Sequence, residues 1–195
     1  MDKNTLRKVY LEKRRLLSQT EYERRNQLIT VRLINFFEAH QFHNIHTFIP
    51  IKKNKEPDTF PFIQYLWTEK PFVNVITGTS DLKKPAMSHV EIKQETRFLE
   101  NRWGIPEPQD ASPYPIDTIE CVLVPMIIGS KSGHRIGYGK GYYDRVLECC
   151  NRNTEFVGIN LGPLLEGDSF KGQYDIPMHK MITPFEIFEI NRYSI

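Results

Sequence analysis

Along the first forty residues, apolar positions recur at roughly helical intervals. Leu6, Val9, Tyr10, Leu16 and Leu17 are separated by basic residues, which predicts an amphipathic helix from Leu6 to Leu17. Ser18-Gln19-Thr20-Glu21 breaks that run, and Thr20 with Glu23 matches a capping box ahead of a second helix running to about Ala39. His43 to Ile51 and Phe72 to Thr77, rich in aromatic and β-branched residues, predict short strands. Between them Asp58-Thr59 caps a helical segment carrying Phe62, Ile63, Tyr65 and Leu66. Lys83 to Pro115 is punctuated by Pro85, Pro106, Pro108, Pro113 and Pro115 and reads as loop. Ile119 to Ile128 is an almost continuous apolar run, the pattern of a central strand covered on both faces. A glycine-rich segment follows, then a predicted helix from about Lys140 to Cys150 and a strand at Phe156 to Ile159. Strands alternating with helices predict a mostly parallel sheet in an α/β protein.

Composition narrows the classes. With 195 residues, 39% hydrophobic, 26% charged and 12% aromatic, the chain has the balance of a folded protein and the length of one domain, expected to span 1–195. A net charge of +2 does not identify a partner for polyanions, so any basic patch must be local. Lys3, Arg7, Lys8, Lys13, Arg14 and Arg15 precede no apolar stretch and do not form a secretory signal. The longest apolar run, Cys121 to Ile128, is interrupted by Pro125 and is far shorter than the roughly 20 residues that cross a bilayer, so no membrane partner is expected. Cys121, Cys149 and Cys150 are odd in number, which argues against a disulfide framework and for the cytoplasm.

The chemistry concentrates in Gly137-Tyr138-Gly139-Lys140-Gly141-Tyr142-Tyr143-Asp144-Arg145. A buried strand feeding a glycine-rich corner that opens into a helix presents unpaired backbone N–H groups at the carboxyl edge of a sheet, an anion site. Glycines at 133, 137, 139 and 141 let backbone approach phosphate oxygens, Arg135 and Lys140 add positive charge, and Asp144 is an acid where a phosphate-bound Mg²⁺ could be held. The segment is not a Walker A loop, since Gly141 follows Lys140, nor a dinucleotide fingerprint, since Tyr142 stands where the last glycine would be. The local pattern leaves a second possibility open: a tight turn whose tyrosines fill the core while Asp144 and Arg145 face water. No Ser/His/Asp or Cys/His arrangement suggests a protein nucleophile, and neither histidines nor cysteines show zinc spacing.

Val124-Pro125, Gly133-His134-Arg135-Ile136 and the Gly137–Arg145 segment together resemble the signature of the 5-formyltetrahydrofolate cyclo-ligase family, also called methenyltetrahydrofolate synthetases. Lys3 with Leu6-Arg7 resembles that family's basic amino-terminal helix, Glu56-Pro57-Asp58-Thr59 its acidic motif, and Trp103-Gly104-Ile105-Pro106-Glu107-Pro108 its aromatic-Gly-Ile-Pro-Glu-Pro segment. Asp175-Ile176-Pro177 ahead of Met181-Ile182-Thr183 adds a weaker fifth match.

The resemblance implies a single-domain three-layer α/β/α fold and an ATP- and Mg²⁺-dependent conversion of 5-formyltetrahydrofolate into 5,10-methenyltetrahydrofolate. It places Lys3, Arg7, Arg135, Gly137, Tyr138, Gly139, Lys140 and Gly141 on ATP and Asp144 on the metal. Ile49, Glu56, Trp103 and Tyr142 would contact the folate, and Arg135, Tyr142 and Asp144 would serve the chemical step. Asp144 is expected at a helix start, where its replacement would leave the fold intact. Where the family has a second carboxyl-terminal acid this chain has His179, with Asp175 nearby, and Gly129-Ser130 stands where the family more often has Phe-Asp. A monomer acting on small molecules, without nucleic acid, is expected. The alternatives are a nucleic-acid-binding module built on the basic helix and a sugar-phosphate isomerase or transferase on a related α/β fold.

Overall fold

A computed structural model of the chain describes residues 1–80, 87–101 and 104–190. Helix α1 spans Lys3–Arg15 and begins three residues before the apolar pattern does, because the Asp2 carboxylate accepts from the N–H groups of Asn4 and Thr5. Helix α2 spans Gln19–His40, and its cap is Ser18, whose hydroxyl accepts from the Glu21 N–H at 3.1 Å. The capping box expected at Thr20 and Glu23 is therefore displaced: Thr20 already lies inside the helix, and the Glu21 carboxylate turns to Arg24 and Arg25.

Strand β1, Asn44–Thr47, is shorter than the predicted His43–Ile51. Beyond it the Phe48 carbonyl accepts from the Thr59 hydroxyl at 2.7 Å, and Pro50 has no N–H to pair. Helix α3 (Phe60–Glu69), strand β2 (Asn74–Ser80) and strand β3 (Met87–Ile92) follow. The region read as loop also holds the short hairpin of β4 (Phe98–Glu100) and β5 (Pro106–Pro108). What proline punctuation concealed in β3 is an edge strand with Val90 and Ile92 turned inward and Glu91 between them half-buried.

Ile119 to Ile128 is not one strand. Strand β6 is Cys121–Pro125, and the chain then turns into a separate ribbon, where β7 (Ile128–Gly129) pairs antiparallel with β8 (Arg135–Ile136). Helix α4 is Tyr142–Glu148, shorter than predicted because Gly141, at φ +65°, caps its start. Strands β9 (Glu155–Ile159), β10 (Lys180–Ile182) and β11 (Ile187–Glu189) complete the order.

The main sheet has seven strands in the order β11-β10-β9-β6-β1-β2-β3. The five from β10 to β2 are parallel, and the antiparallel β11 and β3 close the edges. Along β6 the side chains alternate: Cys121 and Leu123 face Ile29, Leu33 and Phe37 of α2 and Ile63 and Leu66 of α3. Val122 and Val124 face Leu147 of α4 with Met126, Met178 and Met181. Helices thus cover both faces, the three-layer α/β/α arrangement. Helix α1 lies outside these layers, seating Leu6 on Ile128, Ile136 and Phe170.

One topological consequence locates the site. The chain leaves β1 through α3 to β2 on one side, and leaves β6 through α4 to β9 on the other, while β1 and β6 are paired neighbours. The exits from their carboxyl ends run to opposite faces, which makes this a topological switch point, the place whose crevice takes ligands in open α/β sheets.

Candidate active site

The loop after β6 supplies one wall. Gly139 has φ +86°, a conformation that disfavours any residue with a Cβ, and a Cβ there would meet the Arg7 guanidinium at 3.0 Å. Arg7 Nε donates to the Gly137 carbonyl at 2.7 Å, so a cation from α1 is fastened inside the glycine corner. Lys3, one turn earlier on the same face, reaches Asp175 Oδ2 at 2.5 Å, and that oxygen also accepts from the Gly172 N–H. Burial would raise the Asp175 pKa, but Lys3, the Gly172 N–H and the charge of Arg135 outweigh it and hold the carboxyl below its ordinary value.

Behind the corner, Arg135 is 7% exposed, donates to Asp144 Oδ1 at 2.7 Å and to the Ile176 carbonyl at 2.6 Å. Burial lowers its pKa against the opposing pull of Asp144. Asp144 lies in the first turn of α4. Its contacts among the described residues all fall on Oδ1, leaving Oδ2 on a side chain about a third exposed. No cluster of three His, Cys, Asp or Glu side chains able to hold a metal occurs among the described residues. The donor set therefore fits a Mg²⁺ that arrives on phosphate oxygens and meets one carboxylate, as this ion commonly binds, and does not fit an all-protein cage.

The loop after β1 supplies the other wall. The 3₁₀ turn Lys52–Asn54 and Lys55, at φ +46°, carry the chain round to Glu56, which is 2% exposed. Glu56 Oε2 accepts from the Ile51 N–H at 2.7 Å, and the Tyr22 hydroxyl donates to the Glu56 carbonyl. Burial raises the Glu56 pKa, while Tyr138, the Ile51 N–H and Arg14 work against the rise. The Tyr138 ring belongs to the glycine corner yet its hydroxyl accepts from Asn54 of the other wall at 3.2 Å, so the two walls meet there.

The other residues singled out from the sequence divide. Lys140 is exposed at the corner with its carbonyl accepting from Arg145, and Gly137 has open space where a Cβ would stand. Tyr142 is half-buried beneath the Arg145 guanidinium, whereas Tyr143 packs edge-on against His46 in the core. Ile49 is buried in the core on the α2 and α3 face. Trp103 lies outside the described residues.

Gly133 does not belong to the corner. It turns between β7 and β8 against Met178, whose carbonyl would lie 2.7 Å from a Cβ. His179 stands at the amino ends of β9 and β10, away from the crevice, stacked on Phe156 with Nδ1 accepting from the Phe156 N–H. Met126 and Met181 fill the space beside Gly129 where a larger side chain would go.

Two participants were missed. Arg14 and Asn54 join the Glu56 wall to the corner. Asn54 carried no signal, but Arg14 shares the inward face of α1 with Lys3 and Arg7, while Val9 and Leu16, read as part of the apolar stripe, are exposed. Charge on the buried side of a helix was the clue.

A mostly parallel α/β sheet whose switch point lies between a cation-lined glycine corner and a buried carboxylate is the frame of an enzyme that acts on small molecules. The family follows from comparison: residues 1–162 match the model of the 5-formyltetrahydrofolate cyclo-ligase family, and the chain belongs to it. A 5-formyltetrahydrofolate cyclo-ligase of Mycoplasma pneumoniae is 28% identical over 186 residues, covering 94% of this chain and 99% of that protein. One from Escherichia coli is 23% identical over 183 residues, covering 91% and 98%. The solved structure of a 5,10-methenyltetrahydrofolate synthetase from Mycoplasma pneumoniae superposes with a TM-score of 0.74 at 25% identity, covering 94% of this chain and 99% of that one. That of Aquifex aeolicus gives 0.82 at 24% identity, covering 98% and 94%, and shares the fold.

Proposed function

We propose that this chain converts 5-formyltetrahydrofolate into 5,10-methenyltetrahydrofolate with consumption of ATP and release of ADP and phosphate, residues 1–195 acting as one domain. A formamide oxygen leaves poorly as hydroxide. Transfer of the γ-phosphoryl group to it creates a leaving group, the second folate nitrogen attacks the activated carbon, and phosphate departs as the ring closes. The protein must align the formyl oxygen with the γ-phosphate and offset the shifting charge, and no covalent enzyme intermediate is needed.

Lys3, Arg7, Arg135 and Lys140 would carry the phosphate charge around the backbone of Gly137, Gly139 and Gly141. Mg²⁺ bound with the nucleotide would be held by Asp144 and supplies further neutralisation of phosphate charge. Glu56 would accept from the amino and ring N–H groups of the pterin, with Ile49, Trp103 and Tyr142 forming apolar walls. The observation that carries this reading is Arg7 inside the glycine corner: its Nε lies 2.7 Å from the Gly137 carbonyl, on the helix face it shares with Lys3.

We place the protein in the cytoplasm as a monomer that does not act on nucleic acid. Among the described residues no helix is long and apolar enough to cross a membrane. Mixing the protein with 5-formyltetrahydrofolate, ATP and Mg²⁺ should produce the absorbance of the methenyl product only when all three are present. Folded protein that yields none would end this reading.

A further inference from the structure

We infer that Arg14 is a positioning residue for the loop that carries Glu56 and ties it, through the Asn54 carbonyl and the Tyr138 hydroxyl, to the glycine corner, so that the wall taking the nucleotide and the wall taking the pterin form one hydrogen-bonded unit. The inference rests on the reaction proposed above and assigns roles to two residues that reaction does not by itself require.

Arg14 is 5% exposed and spends its guanidinium on three separate parts of the chain. Nε donates to the Asn54 carbonyl at 2.8 Å, one terminal nitrogen to the Met126 carbonyl at 3.0 Å, and the other to the Tyr138 hydroxyl at 2.7 Å. These belong to the β1 loop, the exit from β6 and the glycine corner. Only a planar fork of donors reaches all three, and lysine would not.

The Tyr138 hydroxyl then has a determined orientation. It receives N–H groups from Arg14 and, at 3.2 Å, from Asn54 Nδ2, which fills both of its lone pairs. Its single proton is then free to turn toward Glu56, the carboxylate of the wall to which Arg14 and Asn54 tie it. Asn54 is itself fixed, its Oδ1 accepting from Arg15 at 2.6 Å. Burial, and then the neighbouring carboxylate, raise the phenol's pKa, so it remains a donor at neutral pH. Glu56 is held by the Ile51 N–H from its own loop, with its remaining lone pairs left for the Tyr138 hydroxyl and a ligand.

Displacement of Gly137 to Gly139 by a nucleotide necessarily carries the Tyr138 hydroxyl with it. Folate and nucleotide must then alter each other's affinity by one common factor, since coupling of binding free energies is reciprocal.

The test measures the dissociation constant of 5-formyltetrahydrofolate by titration calorimetry, with and without a non-hydrolysable ATP analogue, alongside KM for both substrates and the melting temperature. Tyr138→Phe keeps the ring and removes only the hydroxyl. It should weaken folate binding about tenfold, clearly more than it weakens ATP-analogue binding, and abolish most of the mutual enhancement or antagonism. In a Glu56→Gln background the same change should matter less than about twofold. Arg14→Lys should reproduce the folate-selective loss.

A purely structural Arg14 would lower the melting temperature while leaving the ratio of folate to nucleotide affinity unchanged, and that result overturns the inference. Wild-type protein that binds and converts the folate while Tyr138→Phe binds it equally well overturns the inference alone. Wild-type protein that does neither overturns the proposed reaction, and the inference with it.

Discussion

Lys3 and Asp175, 172 positions apart in the chain, meet with Nζ 2.5 Å from Oδ2. The pair fastens the start of α1 to the segment that leads into β10, and Asp175 is held in turn by the Gly172 N–H. An amino-terminal helix that packs outside the main layers is thereby tied to the edge of the site.

Because both side chains of that pair are partly exposed, its removal should cost under about 1 kcal/mol of global stability. Lys3→Met should instead raise KM for ATP several-fold. Urea unfolding together with steady-state kinetics separates the two effects, and a large loss of stability with unchanged KM would contradict the assignment. Since Asp175 has a lowered folded pKa, its stabilising contribution is present above the unfolded carboxylate value, near 3.9, and is lost as pH falls through the lower folded one.

Asp144 offers a sharper case, and the structure corrects the expectation that its loss would leave the fold untouched. Asp144→Ala should lower kcat by at least about a hundredfold. It also strands the buried Arg135 guanidinium, which should cost roughly 2 kcal/mol. Adding Arg135→Met should recover much of that stability without recovering activity. A double variant as active as wild type would remove both residues from the chemistry.

Gly139→Ala tests the corner directly. A left-handed φ of +86° costs an alanine about 1 kcal/mol, and its Cβ would press on the Arg7 guanidinium at 3.0 Å. ATP affinity should fall by about tenfold or more while the melting temperature moves by a few degrees. Unaltered nucleotide binding would place the phosphates elsewhere.

His46 should contribute to the loss of stability in acid. It is fully buried in β1 beside His89 and Tyr143, and neither of its ring nitrogens has a hydrogen-bond partner among the described residues. Burial, with the neighbouring His89, lowers its pKa to about 3. The unfolded chain therefore binds a proton more readily, so the contribution is intact above pH about 6.5 and shrinks as pH falls toward 3. By pH 5 the loss from this one group should be about 2 kcal/mol. Urea melts at pH 7 and 5 should show His46→Leu losing less than wild type over that interval, and equal losses would assign the acid sensitivity to other groups.

The sequence determined the alternation of helices and strands, the fully buried character of β6 and the location of the glycine corner. Each of these follows from neighbours along the chain: apolar period, capping side chains, and backbone freedom at glycine. It misplaced boundaries where a distant group took a carbonyl, as Thr59 does at the end of β1, and it read β3 as loop because an edge strand buries few side chains. Tertiary structure alone decided that Arg14 points inward, that Tyr138 joins Asn54 of the opposite wall instead of lying only on the corner, and that Arg135 pairs with Asp144. Those contacts join parts of the chain that meet only because β1 and β6 are neighbours with oppositely directed exits, and burial there makes an unpaired charge too costly to leave.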